Sequence, residues 1–154
     1  MSAGVRVITR AAAGGKGTMK FKDLAIFLGI ELFAIVWAGA MFSTLPNKLL
    51  AGALAGGYFI VSGIYMLSRA VHWPLKWKSL TWYVLFIHVF VISIPMVISR
   101  FAQMALAFED VRIFGIPGPM FHNISSGVFS LLIAATTIDG ARSWWATKRS
   151  PHAQ

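Results

Sequence analysis

The chain has 154 residues, 57% of them hydrophobic and only 12% charged, and its mean hydropathy is +0.70. A soluble domain is nearer half apolar and about a quarter charged, and neither a disordered tail nor a heptad coiled coil carries so many bulky apolar side chains, so composition leaves an integral membrane protein. Fourteen Lys and Arg stand against five Asp and Glu, a net charge of +9, and the absence of cysteine removes disulfides, thiol redox chemistry and Cys-ligated zinc or iron–sulfur clusters.

Residues 1–22 read as a basic tail bearing Arg6, Arg10, Lys16, Lys20 and Lys22. Met19-Lys20-Phe21-Lys22 resembles a translation start, which would make residues 1–18 an upstream extension. The acid-free stretch also fits an organelle transit peptide, and Ala38-Gly39-Ala40 has the small-residue spacing of a signal-peptidase site. Asp23, Glu31 and the apolar run that continues to Leu45 speak against cleavage.

A spanning helix takes about 20 mostly apolar residues, because the hydrocarbon core is about 30 Å thick and each residue rises about 1.5 Å. Four windows qualify within a transmembrane domain at residues 23–145: residues 24–45, stopped by Pro46-Asn47 and carrying Glu31; 49–68; 80–99, with His88 and Pro95; and 120–138, diluted by His122, Asn123 and three serines and ended by Asp139. Residues 146–154 form a basic C-terminal tail. Short connections predict an all-α, antiparallel four-helix bundle. Eleven of the 14 basic residues fall on the N-terminal tail, the loop between spans two and three, and the segment after the fourth span (Arg142, Lys148 and Arg149), which the positive-inside rule assigns to the cytoplasm. Both termini are therefore expected inside, in a bacterial inner membrane. Trp73, Trp77, Trp82, Trp144 and Trp145 fall at the same boundary, where indole prefers the headgroups.

Within the second span Gly52, Gly56 and Gly63 share a face suited to close helix packing, either inside the chain or as a homo-oligomer or partner contact; Tyr58, Ser62 and Tyr65 lie roughly opposite. In the third, Thr81, His88, Pro95 and Ser99 align. Pro95 cannot donate to the Val91 carbonyl, so a kink and a free carbonyl are expected there. In the fourth, His122, Ser126, Phe129, Ile133, Thr136 and Gly140 align. Counting residues by depth gathers Glu31, Ser62, His88 and Thr136 or Thr137 in one layer, roughly 10 to 12 Å from the cytoplasmic boundary. An isolated carboxylate in hydrocarbon is expensive, so Glu31 is expected to be protonated, paired with His88, or in contact with a wet cavity. These five residues are the candidate proton or ion relay; the alternative is a neutral Glu31 in a static hydrogen bond.

Beyond the third span, Arg100, Glu109, Asp110, His122 and Asn123 form a candidate ligand or partner site, with an Arg100 pair to Glu109 or Asp110 as the simpler expectation. The intervening loop is apolar and turn-rich, and is expected on or dipping into the membrane interface. The inner stretch Arg69-Ala70-Val71-His72-Trp73-Pro74-Leu75-Lys76-Trp77-Lys78 reads as an anchor for anionic headgroups rather than a nucleic-acid patch. No cofactor or metal is expected: the histidines lie at different depths, against bis-His haem, and no HxxxH or HExxH pair occurs. Gly14-Gly15-Lys16-Gly17-Thr18 lacks the spacing and preceding strand of a phosphate loop, and no catalytic motif is present. The expected function is that of a non-enzymatic accessory or assembly subunit of a membrane complex, followed by a proton-coupled transporter or channel subunit using Glu31 and His88, then a membrane enzyme acting on lipid.

Overall fold

A computed structural model describes residues 21–71 and 79–148. The start and transit-peptide readings, the headgroup anchor with His72, Trp73, Lys76, Trp77 and Lys78, and the last six residues lie outside these. The described chain runs α1 (Phe21–Thr44), α2 (Lys48–Val71), α3 (Leu80–Phe86), a π-helical segment (Ile87–Ser93), α4 (Ile94–Ala102), β1 (Arg112–Ile113), β2 (Ile116–Pro117) and α5 (Gly118–Lys148). α3, the π segment and α4 form one continuous run, so four helices are long and apolar enough to cross a membrane: Lys22–Thr44, Lys48–Ala70, Leu80–Ala102 and Gly118–Trp145.

Local chemistry sets the first turn. Pro46 cannot extend α1, and the Asn47 side chain accepts from the backbone N–H groups of Leu49 and Leu50 at 3.0 and 3.1 Å, capping α2. Lys48 Nζ returns to the carbonyls of Phe42 and Leu45, the oxygens that the end of α1 leaves without helical partners. α1 packs on α2 and α5, and the third span packs on α2 and α5.

Contacts distinguish two ends. At the tail end Asp23 pairs with Arg69 at 3.4 Å, and Gly140 lies against Leu24, where a Cβ would collide with the leucine. The buried cluster of Phe27, Met66, Leu67, Leu85, Val89 and Leu132 occupies that half. At the other end β1 and β2 pair antiparallel, Ile113 opposite Ile116. Phe114 and Gly115 turn with φ of 53° and 81°, the positive φ at both central positions that a two-residue I′ hairpin requires. The apolar loop is thus a folded cap: Val111 and Ile113 are buried with Ile92 and Phe121, and the Gln103 side chain bonds both the N–H and the carbonyl of Arg112.

The third span departs from an ideal α-helix just ahead of Pro95. The Ile94 N–H reaches back five residues to Val89, widening the turn where the proline ring would strike the Val91 carbonyl. One extra residue in a turn advances every later position by one. The inward face expected at Pro95 and Ser99 accordingly falls at Met96 and Arg100, which line the interior cavity described below, with Val97 beside them.

The fourth span does not stop at Asp139; α5 continues to Lys148. The carboxylate that looked like a terminating charge is absorbed by the neighbouring helix. Asp139 Oδ2 accepts from Ser79 Oγ at 2.8 Å and from the Thr81 N–H and hydroxyl at 2.9 Å. Ser79 in turn caps α3 through the Trp82 N–H. Oδ1 lies 3.8 Å from Arg142, one turn on.

Candidate functional site

Four of the five relay candidates meet in one layer, three of them buried and Ser62 half-buried. Glu31 is 1% exposed, His88 4% and Thr136 0%. The Thr136 hydroxyl donates to Glu31 Oε1 at 2.8 Å. Glu31, Ser62 and His88 line a common void of about 10 Å3, near the lower limit of about 10–15 Å3 for one water molecule. Ser62 spends its own hydroxyl on the Tyr58 carbonyl at 2.7 Å. Thr137 lies outside the layer, exposed and bonded to the Ile133 carbonyl of its own helix.

Glu31 and His88 do not bond each other. Glu31 Oε2 and both ring nitrogens of His88 are buried with no hydrogen-bond partner in the protein. Each such group costs about 1–3 kcal/mol unless something satisfies it, so three around a water-sized void mark a place where a solvent molecule or a mobile proton is worth most.

His88 also faces a second space. A cavity of about 670 Å3 occupies the hairpin half, between all four spans, and His88 lines it together with Arg100, Lys48 and His122. Phe59, His88 and Phe129 are common to the walls of both spaces. Their rings form a cluster with centroids 5.2 to 5.7 Å apart. They act as a partition whose one ionisable member is His88.

The packing glycines of α2 all meet the third span. A Cβ on Gly52 would lie 2.5 Å from Arg100 Nη1, one on Gly56 2.5 Å from Val97, and one on Gly63 would strike Val89. Small residues here bring two backbones together within the chain.

The second candidate site divides. Arg100 and His122 line the large cavity, whereas Glu109, Asp110 and Asn123 do not, and all three are exposed. The expected ion pair is absent: the Arg100 guanidinium lies over the Phe108 ring, 4.5 Å from its centroid. Sliding Arg100 inward by the π turn removes it from the loop acids. Among the described residues no group of three His, Asp or Glu side chains gathers to hold a metal ion.

Three residues outside the sequence-derived candidates belong to the site. Phe59 and Phe129 build the partition, and of these only Phe129 lay on a face that periodicity singled out. Asp139 extends the polar line from Thr136 by one turn along α5, a spacing of three that was readable in the sequence. The chain matches no protein-family model, no curated protein and no solved structure.

Proposed function

We propose that the protein is a proton-coupled membrane transporter or channel subunit in which His88 passes a proton between the large cavity and Glu31. One observation carries this reading: His88 stands in the wall between the two spaces, with both ring nitrogens unpartnered, beside a carboxyl whose second oxygen is also unpartnered. An imidazole has one nitrogen to accept and one to release a proton, and an ionisable pair inside a membrane is a relay candidate by its nature. A histidine serving only to pack would gain about 1–3 kcal/mol by bonding at least one nitrogen. The π turn that carries His88 fits, since such insertions recur at functional sites.

In this reading the spans form an antiparallel bundle in a bacterial inner membrane. Both tails are cytoplasmic, as the basic residues demand, and the large cavity lies in the outer half. The test is proton entry into liposomes containing the purified protein and a trapped pH-sensitive dye. Wild type carries a flux that Glu31→Gln and His88→Leu abolish; equal flux in wild type and Glu31→Gln overturns the proposal.

A second reading, an accessory subunit docking through the hairpin, draws on the exposure of Phe114 at the turn, 72%, with Met104 and Met120 also exposed. An apolar turn tip beside the membrane boundary offers a surface for a partner subunit as well as for the lipid interface. Recovery of a lone monomer from mild detergent, unchanged by Phe114→Ser, speaks against it.

A further inference from the structure

The large cavity has more character than a water vestibule needs. Its volume, about 670 Å3, falls in the range of about 300–1,000 Å3 typical of small-molecule sites. Its wall is mainly apolar, with Ile35, Phe42, Met96 and Val97 among the lining residues, and its two permanently charged members, Lys48 and Arg100, are both cationic. No carboxylate lines it. Arg100 is half-buried, stacked on Phe108, and its guanidinium end lies against Gly52. A half-buried guanidinium with no acidic partner calls for an anion.

The exposure of the lining residues shows where the cavity opens. Those that are exposed belong to α1 (Ile35, Gly39, Phe42), the first residue of α2 (Lys48) and α5 (His122, Ser126, Ser130), while those of the third span are buried or half-buried. α1 and α5 meet closely in the tail half, through Leu24 against Gly140 and Glu31 against Thr136, and in the hairpin half residues of both line the cavity. The mouth is thus a lateral slot between two spanning helices, with cations at its hairpin end.

We infer that this slot binds an anionic amphiphile, its carboxylate or phosphate head held by Lys48 and Arg100 and its acyl chain laid between α1 and α5 toward the Phe59–Phe129 partition. The inference rests on the transporter reading only in naming a cargo class for it; the binding itself needs no proton transfer.

The experiment uses the full chain in nanodiscs of zwitterionic phosphatidylcholine, with dodecanoate as the probe and methyl dodecanoate as its uncharged counterpart. Dodecanoate binds saturably at one site per chain, and the ester binds roughly tenfold or more weakly, the loss expected when a charge-assisted contact disappears. Arg100→Gln weakens dodecanoate by a similar factor and Arg100→Lys restores most of it. Gly39→Leu is the plug: a Cβ there meets nothing within 4 Å, and leucine favours the helix more than glycine does, so the variant folds while its side chain fills the slot and abolishes binding. Displacement of dodecanoate by phosphatidylglycerol identifies a bilayer lipid as the source, and its failure to displace identifies a free single-chain acid; both support the site. Equal binding of acid and ester, or wild-type dodecanoate affinity in folded Gly39→Leu, overturns it. Glu31 lies behind the partition, so Glu31→Gln retains dodecanoate binding while losing proton flux, which separates failure of this site from failure of the relay.

Discussion

Thr136 on α5 donates a 2.8 Å hydrogen bond to Oε1 of Glu31 on α1, while Oε2 of the same buried carboxyl has no protein partner. One oxygen fixes the side chain in place, and in the proposed relay the other is the one that exchanges. The relay thus asks two things of one residue, a structural tie and a proton carrier, and the two can be tested separately.

The tie has a measurable worth. Thr136→Val keeps the shape and deletes the donor, and should lower stability by about 1–3 kcal/mol, seen as a lower midpoint of thermal unfolding in detergent. Thr136→Ser should recover most of the loss. Thr137→Val, altering an exposed hydroxyl bonded within its own helix, should stay within about 0.5 kcal/mol of wild type.

Close approach of α2 to the third span should not tolerate side chains. Gly56→Leu and Gly63→Leu drive carbon into Val97 and Val89 and should cost about 1–3 kcal/mol each through overpacking. Gly29→Leu, added where nothing lies within 4 Å, should cost little. Thermal unfolding of the three variants side by side checks the contrast.

The Asp139 cap makes a local prediction. Asp139→Ala removes the acceptor for Ser79 and Thr81 and should cost about 0.5–2 kcal/mol, the usual effect of losing a helix cap. Hydrogen exchange should accelerate at the Thr81 amide while amides in the middle of α2 stay protected.

Much of this was legible in the sequence, and the parts that were not share a cause. The four spans follow from uninterrupted apolar length, and the Glu31, Ser62, His88 layer from counting residues at a fixed rise, because both depend on properties that add along one helix. Thr136 and Thr137 could not be separated that way, since depth is the same for neighbours and only packing against α1 chooses between them. Asp139 looked like the end of a span because its partners, Ser79 and Thr81, are about 60 residues distant in the chain. Pro95 announced a disturbance but not its form: a kink and a widened turn both relieve the same clash, and only the widened turn moves Arg100 inward.

That register shift can be tested chemically, because the chain has no native cysteine. Gly56→Cys paired with Val97→Cys should cross-link rapidly under mild oxidation, and Gly56→Cys paired with Met96→Cys more slowly. An uninterrupted α-helix would reverse the order, bringing position 96 to Gly56.

Infrared spectroscopy of the Glu31 carboxyl group reads out whether Glu31 and His88 share a proton across the water-sized void. If they do, wild type shows a protonated-carboxyl stretching band that disappears in Glu31→Gln, changes with pH, and shifts its pH dependence when His88 is replaced by leucine. A Glu31 band that is the same at every pH, or one whose titration is untouched by His88→Leu, would contradict it.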